Sequence, residues 1–167
     1  MLNKIKNHCR RYQTKFSFGA TSGIITNLGI ITGLDTLAHP KLSIIAGMLV
    51  VALADNIADS FGIHIYQESE CIDNKEIWFS TLSNFATRLF VSLTFIVLVA
   101  ALPINLAVPC SIIWGLALLA IMSYTIAKNR KVSPYSAIFE HILIAAIVIT
   151  LSHFMGRYII GKFKIAA

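Results

Sequence analysis

Two aspartates that interrupt a long apolar stretch have the clearest potential for chemistry in this chain. Asp55 and Asp59 lie four residues apart within the run 42–66, so they share one face of a helix, about 6 Å apart along its axis. Asp55 falls near the middle of the run. A carboxylate at the centre of a membrane helix costs about 2.5–3.5 kcal/mol, and two on one face repel unless a cation or proton lies between them. The pair therefore predicts a cation or proton site.

The alternative interpretation is that both aspartates are structural. They would then be protonated, or paired with Arg88 or Asn84 further along the chain. Because intramembrane acids usually mark an ion or proton path, we favour the functional interpretation.

The composition indicates an integral membrane protein. Of 167 residues, 56% are hydrophobic and 13% charged, whereas a soluble domain has roughly 25% charged residues. The net charge of +6 comes from basic residues at the termini and between apolar runs, which fits membrane topology and not a nucleic-acid partner.

Cys9, Cys71 and Cys110 are too scattered for a disulfide framework or a structural zinc site, so we expect free thiols. Since no nucleophile–base pair or metal-hydrolase motif occurs, we do not expect an enzyme or a cofactor.

Five apolar runs of spanning length predict an all-α, polytopic membrane domain that comprises residues 1–167. Pro103 and Pro109 divide the longest uncharged stretch into two runs. The first run is longer than a signal-peptide core, so we expect it to be retained. The predicted helices are at about 16–34, 42–66, 84–102, 110–127 and 136–156.

The distribution of Lys and Arg predicts a cytoplasmic N-terminus. Five spans place ten basic residues, Arg88 among them, on the side of the N-terminus and four on the other side. The positive-inside rule therefore puts the C-terminus outside or in a lumen. The membrane would be the cell inner membrane or an organelle membrane.

Polar residues of the first helix are the expected partners of the aspartates. Ser22, Thr26 and Asn27 would add hydroxyl and amide oxygens to the two carboxylates, which is a hard ligand set for a divalent metal ion.

Two glycine pairs on the same helix, Gly19 with Gly23 and Gly29 with Gly33, permit close approach of another helix. We expect two copies of the chain to meet there, although close packing within one chain explains the glycines equally well.

Further titratable residues lie toward the cytoplasmic ends of the predicted helices. We interpret them as residues at the inner mouth of an ion path: His64, Glu68, Glu70, Glu140 and His141. A hydrogen-bonded histidine, a solvated acidic loop over 67–76 and an interfacial Glu-His anchor are the alternatives, and the sequence leaves them open.

The first two helices resemble those of the vacuolar iron transporter family of divalent-metal transporters. Residues 18–34, FGATSGIITNLGIITGL, are similar to the family's first helix, which typically begins Gly-Ala-Asn-Asp-Gly-Ile. Residues 52–70, ALADNIADSFGIHIYQESE, resemble the second helix, and Asp55 keeps its acidic position. Ser22 stands where the family has a metal-binding Asp, and Ile63 where it has a Met. The family's cytosolic metal-binding domain is reduced to a short acidic loop.

The resemblance implies a homodimer with an ion path at the subunit interface. It also implies export of Fe²⁺ or Mn²⁺ from the cytoplasm in exchange for protons, with the metal as substrate. Without the methionine thioether, the oxygen ligands favour hard ions such as Mn²⁺. The alternative is a non-transporting membrane assembly or regulatory subunit that retains the transporter fold, which the loss of the Asp and the Met supports.

Overall fold

The computed structural model describes residues 2–130 and 132–163, with side chains described for 17–130 and 132–162. These residues form α-helices joined by short connections and contain no strand, which confirms the all-α class. The five helices are α1 (Leu2–Leu34), α2 (Pro40–Ser69), α3 (Asn74–Ala101), α4 (Ile104–Arg130) and α5 (Pro134–Phe163). We call the end of the bundle with the α2–α3 and α4–α5 connections the proximal end, and the opposite end the distal end.

The helices are longer than the apolar runs predict, most of all at the starts of α1 and α3. Helix α3 begins at Asn74 rather than near residue 84, because Asp73 caps it: the carboxylate accepts a hydrogen bond from the backbone N–H of Lys75 at 3.1 Å. Arg88, which the sequence analysis counted among the cytoplasmic charges, therefore lies at the middle of α3. At the other boundary, α4 begins directly after Pro103 and contains Pro109.

Four of the helices, α2 to α5, are long and apolar enough to cross a bilayer, which indicates a multi-pass membrane protein. Among the residues searched, α1 is not in this set, because its apolar stretch is diluted by glycine, serine, threonine and asparagine. The same helix packs against all four others. Small and polar residues are typical of helix surfaces that face other helices in a membrane rather than lipid.

The glycines of α1 contact helices of the same chain. A Cβ at Gly23 would lie 3.2 Å from Cγ of Arg88 on α3, and Gly29 and Gly33 lie against Ser152 on α5. The glycine pairs thus serve packing within one chain, which was the alternative explanation, and the reason for placing a second copy on α1 is lost.

Apolar and polar side chains are separated along the bundle interior. The distal half holds a continuous apolar core that includes Leu28, Ile31, Met48 and Phe95. The proximal half holds most of the buried polar side chains of α2 and α3. Buried polar groups are costly without partners, so their contacts show how the proximal half is organised.

Candidate ion site between α1, α2 and α3

Asp55 and Asp59 project from one face of α2, and the guanidinium of Arg88 lies between them. Nη2 of Arg88 donates to Oδ2 of Asp55, and Nη1 donates to Oδ2 of Asp59. Asp55 and Arg88 are each near the middle of their helices, so antiparallel packing of α2 and α3 brings them to one level. Pairing with Arg88, which the sequence left open as an alternative, is the arrangement that the structure has.

The first helix adds two hydroxyl groups to the same place. Ser22 Oγ donates to Oδ2 of Asp59 at 3.4 Å, and Nη2 of Arg88 donates to Thr26 Oγ1 at 3.4 Å. Gly23 lies between these two residues, and its missing side chain lets Arg88 approach α1. We define the ion-pair cluster as Ser22, Thr26, Asp55, Asp59 and Arg88.

Two carboxylates share one guanidinium in the ion-pair cluster, so its formal charges sum to one negative charge. The Arg88 side chain is 5% exposed, whereas those of Asp55 and Asp59 are 48% and 35% exposed. Within the described side chains, no donor is hydrogen-bonded to either Oδ1 atom. A second cation or a proton at these oxygens would reduce the electrostatic cost of the acids inside a membrane.

Asn27, the other predicted ligand on α1, is directed toward α3 and does not contact the carboxylates. Its Nδ2 donates to the carbonyl oxygen of Gly23 at 2.7 Å and to Oγ of Ser92 at 2.9 Å. Its Oδ1 is buried with no hydrogen-bond partner among the described residues. Asn27 therefore fixes the contact between α1 and α3 one helical turn beyond the ion-pair cluster.

A buried polar network beside the cluster was missed by the sequence analysis. Asn84 Nδ2 donates to Ser60 Oγ at 3.0 Å, and Asn56 Nδ2 donates to the carbonyl oxygen of Phe85 at 3.0 Å. Asn56 and Ser60 each follow one of the aspartates directly in the sequence. The spacing of Asn56 and Ser60 at i and i+4 could have revealed the network from the sequence, since it places a second polar stripe on α2. The network holds α2 and α3 in register.

His64 belongs to a contact between α2 and α3 that is separate from the carboxylates. Its Nδ1 lies 3.2 Å from Oγ1 of Thr81, and its ring packs edge to face on Trp78. The hydrogen-bonded alternative for this residue is thus the arrangement observed.

The acidic residues Glu68 and Glu70 are exposed at the proximal end, where α2 turns into α3. Cys71 forms this turn with a positive φ of 54°. Nine residues of helix separate Glu68 from Asp59, or about 13 Å of axial rise, so these acids do not join the ion-pair cluster.

In the described part of the chain, no three His, Cys, Asp or Glu residues converge as a metal site, and Cys71 and Cys110 are free thiols. Cys9 lies outside the described side chains.

The predicted Glu140–His141 pair lies at the start of α5, beside a cavity of about 740 Å³ between α1, α4 and α5. Glu140 is exposed, and His141 is half-buried, with Nδ1 at 2.7 Å from Oγ of Ser123. The remaining lining residues are Ser17, Phe18, Thr21, Ser22, Ile25, Thr26, Ile126, Asn129 and Arg130. His141 thus shares a cavity with two members of the ion-pair cluster but does not contact the carboxylates.

An acidic residue outside the ion-pair cluster has a histidine partner at the distal end of the bundle. Asp35, in the connection between α1 and α2, lies with Oδ1 at 3.5 Å from Nδ1 of His153 on α5. Burial raises the pKa of Asp35, and the attraction of His153 offsets part of that rise. No sequence pattern had pointed to His153.

Comparison with known proteins finds no relative, because no family model, curated protein or solved structure matches the chain.

Proposed function

We propose that this protein transports a divalent metal cation, Fe²⁺ or Mn²⁺, out of the cytoplasm in exchange for protons. The observation that supports this proposal is the charge of the ion-pair cluster. Two carboxylates at the middle of α2 share one guanidinium, and their remaining oxygens are accessible. Intramembrane acids of this kind mark ion or proton paths, and oxygen ligands suit divalent cations.

Arg88 occupies the place that a bound metal ion would take between the carboxylates. With Arg88 paired as in the structure, one proton is enough to neutralise the cluster. A divalent ion balances the two carboxylates only when Arg88 withdraws from them. Exchange of a metal ion against protons therefore requires Arg88 to change partners, and we assign it the role of a competing internal cation.

The surroundings of α2 are compatible with access for cations and with a homodimer. Acidic residues at the proximal connection attract cations toward this end of the bundle. Next to Asp55, the exposed surface of α2 carries the small residues Ala54, Ala58 and Gly62, which allow a second helix to approach closely. A second copy on this surface would enclose the exposed carboxylate of Asp55, consistent with the dimer that the resemblance to vacuolar iron transporters implies.

The proposed topology includes α1 as the fifth span, with the N-terminus in the cytoplasm. With Arg88 inside the bundle, nine basic residues remain at the proximal side and four at the distal side, so the positive-inside rule gives the same orientation. Several of these residues lie outside the described side chains, namely Lys4, Lys6, Arg10, Arg11, Lys15, Lys131 and Lys164.

Metal flux into proteoliposomes tests the proposal. The assay would follow Mn²⁺ or Fe²⁺ with a metal-sensitive dye and protons with a pH-sensitive dye, for the full chain and for Asp55→Asn and Asp59→Asn. Loss of a charged ligand is worth about 1.5–3 kcal/mol, so each variant should slow flux by about tenfold or more. Asp73→Asn is the matched control, because Asp73 lies outside the apolar segments and asparagine also caps helices.

A second candidate function is a non-transporting assembly or regulatory subunit, which the position of Arg88 between the carboxylates favours. In that case the ion-pair cluster is a structural link between α2 and α3. Absence of flux from the folded wild-type protein would support the subunit and contradict the transporter. Flux that is equal in both aspartate variants and the control would instead contradict the ion-pair cluster as the transport site.

A further inference from the structure

The two proximal connections of the bundle carry opposite charge. The α2–α3 connection is acidic, with Glu68 and Glu70 exposed, whereas α4 ends in the exposed basic residues Lys128 and Arg130. No carboxylate pairs with Arg130 among the side chains that the structure describes. The cavity between α1, α4 and α5 opens beside this basic group. Glu140 is exposed next to His141 but does not line the cavity, whereas Arg130 does, so an anion would be attracted at Arg130.

The cavity has both apolar and polar walls. Its walls include the apolar side chains of Phe18, Ile25 and Ile126, and Arg130 and His141 lie at the proximal end. Its volume of about 740 Å³ is within the usual range for ligand sites, roughly 300–1,000 Å³. A site of this kind fits a molecule with an acidic head and an apolar tail.

We propose that this cavity binds one anionic phospholipid from the leaflet at the proximal end. The headgroup phosphate lies at Arg130, and an acyl chain extends between α1 and α4 past Ile25 and Ile126. Basic pockets between transmembrane helices on the cytoplasmic side are suited to acidic lipid headgroups. Free phosphate could bind Arg130 but would leave the apolar side chains of Phe18, Ile25 and Ile126 without a contact, which an acyl chain provides.

The position of the cavity links the lipid to the interior of the bundle. Ser22 and Thr26 line the cavity and also contact Asp59 and Arg88. An acyl chain in the cavity would therefore lie against α1 at the level of the ion-pair cluster. The proposal does not depend on which ion, if any, the protein transports.

Native mass spectrometry of the full chain in detergent tests this site. Phosphatidylglycerol and phosphatidylcholine would be titrated separately, and the bound lipid counted for the wild type, Arg130→Gln and the control Arg157→Gln. Arg157 is also an exposed arginine, but it is near the distal end of α5. One basic residue near a membrane surface contributes about 1 kcal/mol to binding of acidic lipid, so Arg130→Gln should weaken phosphatidylglycerol binding about fivefold.

Filling the cavity provides an independent variant. Thr21→Phe places a large side chain in the lining and should remove the first phosphatidylglycerol bound, while Arg157→Gln leaves it unchanged. Arg130 is exposed, so its variant decides the outcome even where Thr21→Phe fails to fold. Equal affinity of the wild type for the two lipids, equal losses in the two arginine variants, or displacement of the lipid by inorganic phosphate would each overturn the proposal.

Discussion

Removal of Arg88 should destabilise this protein more than removal of any exposed arginine. Arg88→Met keeps much of the side-chain volume but deletes the contacts with Asp55, Asp59 and Thr26. It also leaves two carboxylates facing each other inside the bundle, with no guanidinium between them. Breaking a buried ion pair by removing one partner costs about 3–5 kcal/mol. Because both carboxylates are partly exposed, we expect a loss near the lower limit, about 3 kcal/mol.

A loss of this size is a large part of the total stability, since domains have roughly 5–15 kcal/mol. Denaturant unfolding of the purified protein in mild detergent, followed by tryptophan fluorescence, would measure it. Arg157→Met is the matched control: Arg157 is exposed, and surface substitutions usually change stability by less than about 0.5 kcal/mol.

A combined variant separates charge from packing. Arg88→Met together with Asp55→Asn and Asp59→Asn removes all three charges of the cluster, so no carboxylate is left without its partner. Replacing a buried ion pair or triad by neutral groups is often close to neutral in stability, so the triple variant should recover most of the loss. The reasoning is refuted if Arg88→Met is as stable as Arg157→Met, or if the triple variant is no more stable than Arg88→Met.

Three further predictions concern packing, pH and topology. Gly156→Ala should cost about 1–3 kcal/mol by overpacking, because the new Cβ would clash with the backbone oxygen of Gly33, whereas a Cβ at Gly161 would meet nothing within 4 Å. Equal stability of the two variants would contradict this. Burial raises the pKa of Asp35 above its ordinary 3.8, so the contribution of Asp35 to stability is greatest below that pH and is lost as pH rises through the raised pKa. In thermal unfolding, the stability of Asp35→Asn relative to the wild type should therefore increase between pH 4 and pH 7. A stability difference that stays the same over this range would be inconsistent with the buried carboxyl. Reporter fusions should place the N-terminus in the cytoplasm and the C-terminus on the other side, and two cytoplasmic termini would rule out five spans.

Local sequence patterns predicted the all-α class and pointed to four of the five residues of the ion-pair cluster, with Arg88 as an alternative partner of the aspartates. Apolar runs of spanning length are a property of consecutive residues, so the all-helical class and four long apolar helices follow from the sequence. The 3.6-residue period likewise put Asp55 and Asp59 on one face of α2, and Ser22 and Thr26 on one face of α1. The structure brings these four residues together around Arg88, and the geometry of a single helix sets the spacing only within each pair.

The tertiary structure alone decided which groups the aspartates face. Residues 74–83 are too polar to be recognised as part of a membrane helix, so the predicted third helix began near residue 84 and Arg88 lay close to its cytoplasmic end. The cap at Asp73 extends α3, and antiparallel packing on α2 then brings Arg88 between the two carboxylates. Asn27 lies next to Thr26 in the chain, yet it is turned about 100° around α1 and bonds α3 instead. Contacts between helices depend on their rotation and level within the bundle, which no single helix specifies.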